Sequence, residues 1–148
     1  MYNFKIMETQ KITVRSPATS ANMGPGFDSL GIALDVWNSV TVHEKNDVDI
    51  DVLVTGKGER ELSSGRDNLV FQSFSRLFEE LGEVVPDVLL ECDNQIELSR
   101  GMGSSSASLA AGLFAANEYI GSPLSLNELV QIAAEMEGHP DNVAPALL

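Results

Sequence analysis

The chain has 148 residues, about the size of one domain, and 43% of them are hydrophobic, which is enough for a buried core and excludes a disordered chain. Nine Lys and Arg residues against 22 Asp and Glu residues give a formal net charge of −13. Because nucleic acids and anionic membrane surfaces are bound by basic side chains, this charge argues against both as partners. The single cysteine, Cys92, excludes an internal disulfide and is expected to be a buried structural side chain.

Neither a membrane span nor a targeting segment is predicted. The longest stretch of small and apolar residues, Ala107 to Ala116, is too short to cross a bilayer, which takes about 20 residues. The N-terminus has no apolar core after a basic start, so we expect no signal peptide and a cytoplasmic location.

Strand patterns dominate the first third of the chain. Ile12 and Val14 alternate with polar residues and predict a short strand. The segment Ser16 to Gly26 is dense in turn-forming residues and predicts a loop. Strand-like composition returns from Phe27 to His43.

A further strand is predicted over residues 47–54, where Val48, Ile50, Val52 and Val54 alternate with Asp47, Asp49, Asp51 and Leu53. The row of aspartates could resemble a metal site. Its regular two-residue spacing is more typical of a solvated strand face.

Three helices and one strand region follow. Apolar residues at helical spacing predict a helix with Asp67 as its N-cap that ends at Gly82, and residues 86–98 predict one or two strands. A second helix is predicted from Ser104 to Tyr119. A third begins at the Ser125–Glu128 capping box and ends at Gly138. This order of elements predicts an α+β or mixed α/β fold.

The glycine- and serine-rich segment Ser99 to Gly112 is the most informative about chemistry. Glycines precede the predicted second helix, whose first-turn N–H groups have no partner inside the helix and attract anions. The segment therefore suits phosphate, although it matches neither the Walker A pattern nor the dinucleotide fingerprint. The alternative is an ordinary serine-capped helix. Small residues, Ala107 and Gly112 among them, would let the helix pack tightly against the sheet.

Two further segments carry polar residues suited to a site. Asn22 and Asp28, in the segment Pro17 to Gly31, could hold a small polar substrate or could simply cap a turn. Glu137 and Asp141 offer the carboxylate oxygens that Mg²⁺ prefers, or they form a solvated acidic helix end.

Taken together, three motifs resemble the homoserine branch of the GHMP small-molecule kinase superfamily. They are PATSANMGPGFD (17–28), RGMGSSSA (100–107) and EGHPDNVAP (137–145). The resemblance implies an α+β fold of the ribosomal-S5-domain-2 type, with a mixed sheet and packed helices. It also implies transfer of the γ-phosphate of ATP to the hydroxyl of L-homoserine, with Mg²⁺, in threonine biosynthesis.

The resemblance also implies roles for individual residues. The triphosphate would be bound by Arg100, Gly101, Met102, Gly103, Ser104, Ser105, Ser106 and Ser108. Mg²⁺ would be held by Ser105 and Glu137, with Glu135 as the alternative carboxylate. Homoserine would be held by Asn22, Asp28 and His139. Asp141 and Asn142 would line the reaction centre, Asp141 being the candidate general base.

Kinases of this superfamily are about twice as long as this chain. Residues 1–148 are therefore expected to form the N-terminal ATP-binding domain, without the C-terminal GHMP domain. An exposed interdomain face would leave an apolar patch, which predicts self-association, for example as a homodimer. Two alternatives stay open: a GHMP-type kinase for another small alcohol, or a nucleotide-binding fragment without catalysis.

Overall fold

The computed structural model describes residues 11–21, 30–139 and 141–148, which form a mixed α+β domain. Within these ranges the elements are β1 Ile12–Ala21, β2 Gly31–Glu44, β3 Val52–Gly56, α1 Leu69–Leu81, β4 Val88–Asn94, α2 Ser104–Ile120, α3 Leu126–Glu137 and α4 Val143–Leu147.

The four strands form one mixed sheet in the order β1-β2-β4-β3. Strand β2 pairs antiparallel with both β1 and β4, whereas β3 pairs parallel with β4, to which α1 connects it. The apolar side chains of β2, β3 and β4 join those of the helices in one core. This arrangement confirms the predicted α+β class and its mixed sheet with packed helices.

Strand β1 is longer than the sequence predicts. The expected loop over Ser16 to Gly26 is wrong for residues 16–21, which continue the strand, and residues 22–26 lie outside the described ranges. Pro17 is compatible with a strand here because β1 is at the edge of the described sheet, where a missing N–H costs no ladder hydrogen bond. Burial of Ala18 and the hydrogen-bonded Thr19 stabilises this segment.

Strand β3 is shorter than predicted, since it begins only at Val52. Asp51 precedes it and lies between two cations, 2.9 Å from Lys45 Nζ and 3.6 Å from Arg66 Nε. The hydrogen bond to Asp51 raises the pKa of Lys45. The Asp51 side chain is therefore held by ion pairs and does not belong to a regular outward-facing row of aspartates.

The predicted helix ends are largely confirmed, with one correction. Helix α1 is capped by Asn68 rather than Asp67, because the Asn68 side chain accepts a hydrogen bond from the N–H of Val70 at 2.9 Å. Gly82 ends α1, as predicted. Region 86–98 contains the single strand β4.

Helix α2 is the central element and contacts α1, α3, α4, β1 and β2. The predicted capping box between Ser125 and Glu128 is present at the start of α3, and the hydrogen bond from Ser125 lowers the pKa of Glu128. The short helix α4 was not predicted, because five residues with an internal Pro145 carry no helical periodicity. None of the described helices is long and apolar enough to cross a membrane.

The small residues of α2 serve two different contacts. Ala107 packs with Ala18 and Ile96, beside the sheet. Gly112 instead faces α1: a Cβ atom there would lie 1.9 Å from Ser73 Oγ and 2.4 Å from the carbonyl oxygen of Val70. The absence of a side chain at Gly112 therefore sets the distance between α1 and α2.

We expect Gly112→Ala to destabilise the chain although alanine favours helices. The propensity gain of about 1 kcal/mol is outweighed by overpacking against the α1 backbone, which costs about 1–3 kcal/mol. Urea denaturation should show a lower midpoint with an unchanged slope. Glu118→Gln, on the exposed part of α2, should stay within about 0.5 kcal/mol of the unchanged chain. A Gly112→Ala midpoint at or above that of the unchanged chain would contradict this packing argument.

Candidate functional site

The loop that leads into α2 presents main-chain donors at one point. Ser99, Gly101 and Gly103 all have positive φ, of 54°, 69° and 66°. Gly103 is the N-cap, and within the described residues no side chain caps the helix. The N–H groups of the first turn therefore lack intrahelical acceptors, and the helix dipole adds partial positive charge there. This is the environment that a phosphate or carboxylate group prefers.

The loop is anchored on the side of the sheet by Asn38 of β2. Asn38 is buried, and its Oδ1 accepts hydrogen bonds from the N–H groups of Gln95 at 2.8 Å and Ile96 at 3.0 Å. Ile96 is itself fully buried against Ala18 and Ala107. These contacts end β4 and fix the direction in which the chain enters the glycine loop.

A second anchor comes from β1. The N–H of Thr19 donates to the carbonyl of Met102 at 2.9 Å. A Cβ atom on Gly103 would lie 2.1 Å from Thr19 Oγ1, so that any side chain at this position would displace β1 or the loop. Gly103 is thus required both by its backbone angle and by its close approach to Thr19.

The carboxylate of Glu137, in the last turn of α3, reaches the start of α2. Ser105 Oγ donates to Glu137 Oε1 at 3.1 Å, and Ser106 Oγ lies 2.6 Å and 2.9 Å from the two carboxylate oxygens. Ser106 is buried whereas Ser105 is exposed, so Ser106 fixes the carboxylate and Ser105 stands on its open side. The sequence-derived pair of Ser105 and Glu137 is therefore brought together.

The alternative carboxylate, Glu135, points elsewhere. Its Oε2 lies 3.6 Å from Arg76 Nη2 of α1, and its Oε1 accepts from Gln131 at 3.4 Å. Residues two apart on an α-helix project in nearly opposite directions. The packing of α3 therefore directs Glu137, and not Glu135, to the glycine loop.

The segment before α4 supplies the remaining described candidates. Asn142 is the N-cap of α4, and its Oδ1 accepts a hydrogen bond from Thr19 Oγ1 at 3.1 Å. His139 Nδ1 pairs with the Asp141 carboxylate, of which 14% is exposed against 58% of the His139 side chain. Asn22 and Asp28 lie outside the described residues.

The other candidates in the loop and first turns differ in accessibility. Arg100 and Gly101 are exposed, and Arg100 contributes to the lowered pKa of Glu97, whose main cause is the hydrogen bond from Lys57. Ser104 lies at the first position of α2. Ser108, one turn later, donates its hydroxyl to the Ser104 carbonyl at 3.0 Å.

Beside these serines lies a cleft of about 390 Å³ that the sequence did not reveal. Its apolar lining is Val54, Leu62, Leu69, Val70, Cys92 and Leu98. Ser104, Ser105 and Ser108 form its border with the glycine loop. The cleft forms where the ends of β3 and β4 meet the loop after β3 and the start of α1. No local sequence pattern indicates that these segments come together.

The thiol of Cys92 lies at this cleft. Cys92 is 1% exposed, and burial, with a smaller contribution from Glu91, raises the pKa of its thiol to about 12. The predicted structural role of Cys92 is consistent with this environment, because a buried neutral thiol is a poor nucleophile.

Comparison with protein-family models gives the class of protein. Residues 68–148 match the family model described as the GHMP kinases N terminal domain, which is more than half of the chain. The chain therefore belongs to the GHMP kinase family.

Matches to individual relatives are more specific than the match to the family model. The chain is 46% identical over 138 residues to a homoserine kinase of Synechocystis sp. and 50% identical over 137 residues to one of Desulfitobacterium hafniense. These matches cover 92% and 93% of the chain but only 45% and 46% of the relatives, so the chain spans about half their length.

Solved structures of related proteins share the fold of this chain. A homoserine kinase from Cytophaga hutchinsonii superimposes with a TM-score of 0.79 at 32% identity, covering 98% of this chain and 49% of that one. The mevalonate kinase of Methanococcus jannaschii has a TM-score of 0.70 at 12% identity, covering 95% of this chain and 52% of that one, a likeness that shows the fold alone.

We expect Cys92 to resist thiol reagents in the folded chain. With a pKa of about 12, roughly one thiol in ten thousand is deprotonated at about pH 8. Labelling with a chromogenic disulfide should be negligible for the native chain and reach one thiol per chain in denaturant, while Cys92→Ser should show no labelling in either condition. Native labelling at the rate of the unfolded chain would contradict the burial of this thiol.

Proposed function

We propose that this chain is the N-terminal, ATP-binding domain of a cytoplasmic homoserine kinase. The enzyme transfers the γ-phosphate of ATP to the hydroxyl of L-homoserine, giving O-phospho-L-homoserine for threonine biosynthesis, and a C-terminal GHMP domain completes it. The observation that carries the proposal is the contact of Glu137 with Ser105 and Ser106 beside the first turn of α2, which no side chain in the described part of the chain caps.

The phosphates of the nucleotide fit the start of α2. The N–H groups of Ser104, Ser105 and Ser106 are the first-turn donors, and Gly103 allows an anion to approach the backbone closely. Arg100, exposed on the same loop, adds positive charge. The adjacent apolar cleft then receives the base, since its border with Ser104, Ser105 and Ser108 joins the two subsites.

A divalent cation is needed for electrostatic reasons. The Glu137 carboxylate and a polyphosphate are both anions, and placing both at one helix start is unfavourable unless a cation lies between them. The donor set suits Mg²⁺, which prefers oxygen ligands such as the Ser105 hydroxyl and the Glu137 carboxylate. The described residues hold no group of three His, Cys, Asp or Glu side chains suited to a metal, so phosphates and water would complete the coordination. When bound, Mg²⁺ neutralises charge on the phosphates.

The acceptor alcohol is assigned to the segment before α4. Asn142 and Asp141 line the reaction centre, and His139, paired with Asp141, contacts homoserine together with Asn22 and Asp28. Phosphoryl transfer depends mainly on positioning and charge neutralisation, and fixed polar side chains supply the positioning. We assign to Asp141 the acceptance of the hydroxyl proton, if a base is used.

The first test is acceptor specificity in the complete enzyme, with substitutions of the two carboxylates of α3. ADP release should depend on homoserine and not on mevalonate or a panel of sugars. Glu137→Gln should lower kcat/KM by about 10- to 100-fold and raise the Mg²⁺ concentration for half-maximal rate. Glu135→Gln is the matched control and should stay within about twofold, because Glu135 faces Arg76.

Turnover of another alcohol in place of homoserine would move the assignment to a different GHMP-type kinase. ATP binding without turnover of any alcohol would indicate a nucleotide-binding module without catalysis. Equal losses in Glu135→Gln and Glu137→Gln would contradict the proposed metal site.

The second test measures nucleotide binding by the 148-residue chain. Gly103→Val places a side chain against Thr19 and should weaken Mg·ATP binding by about 100-fold or more, as for a lost set of oriented donors. Gly101→Ala is the matched control: Gly101 has a similar positive φ, but apart from its chain neighbours no described residue has a heavy atom within 4 Å of a Cβ atom there. Its affinity should fall by less than about tenfold. Equal binding by Gly103→Val and the unchanged chain would place the phosphates away from α2.

A further inference from the structure

We propose that Thr19 is a positioning residue that holds the carboxamide of Asn142 toward the acceptor alcohol and couples it to the glycine loop. The proposal rests on the proposed kinase function and assigns a role to a residue that the sequence analysis left without one. Thr19 lies in β1, whereas Asn142 precedes α4, 123 residues later in the chain.

The contact is fully buried on the Thr19 side and half-buried on the Asn142 side. Thr19 is 0% exposed, and its Oγ1 donates a hydrogen bond to Asn142 Oδ1 at 3.1 Å. A buried hydroxyl that lacks a partner is costly, so the Thr19 side chain favours this bond. The pairing therefore fixes one of the two ends of the Asn142 carboxamide.

Fixing one end determines what the other end can do. A carboxamide has an accepting oxygen and a donating nitrogen, and rotation by half a turn exchanges them. With Oδ1 engaged by the Thr19 hydroxyl, Nδ2 is the end available to the acceptor alcohol, to whose oxygen it can donate. Without the Thr19 proton, the carboxamide loses this preference, and its oxygen can face the oxygen of the alcohol instead.

The same residue also holds the phosphate side of the site. The Thr19 N–H donates to the Met102 carbonyl at 2.9 Å, and the Thr19 side chain lies against Gly103. One short piece of β1 thus fixes the glycine loop and Asn142 relative to each other. A displacement of about 1 Å between reacting groups can cost about 100-fold in rate, so this separation matters for transfer.

The two contacts can be tested separately, because they use different atoms. The bond to Met102 comes from the main chain and survives any side-chain substitution except proline, whereas the bond to Asn142 needs the hydroxyl. In the complete enzyme, Thr19→Val should lower kcat with homoserine by about 10- to 100-fold, with the Kd for Mg·ATP within about twofold. Thr19→Ser retains the hydroxyl and should recover kcat to within about threefold of the unchanged enzyme.

Thr13→Val is the matched control on the same strand. Thr13 Oγ1 lies 3.0 Å from Thr41 Oγ1, so this substitution also removes a threonine hydrogen bond, but away from the glycine loop. It should leave both kcat and the Kd for Mg·ATP within about twofold. A loss of kcat in Thr13→Val equal to that in Thr19→Val would show a general effect on β1 and overturn the proposal.

A double-mutant cycle tests whether Thr19 acts through Asn142. In the Asn142→Ala background, Thr19→Val should produce no further loss of kcat. Additive losses, an unchanged kcat in Thr19→Val, or a parallel weakening of Mg·ATP binding would each overturn the positioning role. Turnover by the unchanged enzyme separates the two hypotheses. If the unchanged enzyme and Thr19→Val turn over homoserine with the same kcat, only the role of Thr19 is wrong. If the unchanged enzyme does not turn over homoserine, the proposed function itself is wrong.

Discussion

The first-turn amides of α2, which have no acceptor inside the helix, are the constraint on which the proposed site depends. A helix cannot satisfy its own first N–H groups, and within the described residues Gly103 offers no side chain to cap them. The neighbouring serines do not compensate, because Ser105 and Ser106 direct their hydroxyls to Glu137. The donors are thus held in place by the buried contacts of Thr19 and Asn38 while staying available to an anion. A site that is already organised requires little rearrangement when charge develops on it.

Local patterns were sufficient to predict the elements that end at a distinctive residue. Gly82 and Gly121 end α1 and α2 because glycine accepts positive φ, and the capping box at Ser125 defines the start of α3. The prediction from local composition was wrong for residues 16–21, where turn-forming residues continue strand β1. Their composition favours a loop, but pairing with β2 and burial stabilise a strand, a tertiary effect that local propensity does not contain.

The candidate site also has parts that the sequence predicts and parts that it does not predict. The sequence identified the glycine loop and the segment before α4, since unusual residues are concentrated there. It left Glu135 and Glu137 as alternatives, because the choice depends on which side of α3 packs against α2 and which faces Arg76. Thr19 and the apolar cleft were missed for a related reason: the contact between Thr19 and Asn142 joins residues far apart in sequence, and the cleft is formed by several elements together.

The net charge of −13 sets a condition on how such a site can bind a polyanion. Long-range repulsion is screened over about 8 Å at physiological ionic strength, so affinity depends on the groups within that distance. At the start of α2 these include the first-turn amides, Arg100 and the opposing charge of Glu137, and the carboxylates of Glu61 and Asp67 line the adjacent cleft. A carboxylate at this position would repel a free nucleotide and weaken its binding. It would strengthen binding of the Mg²⁺ complex, because the metal is attracted both to the carboxylate and to the phosphates. On the proposed function, the acidic chain would favour the metal-bound nucleotide over the free one, and Glu137 would be the residue through which it does so.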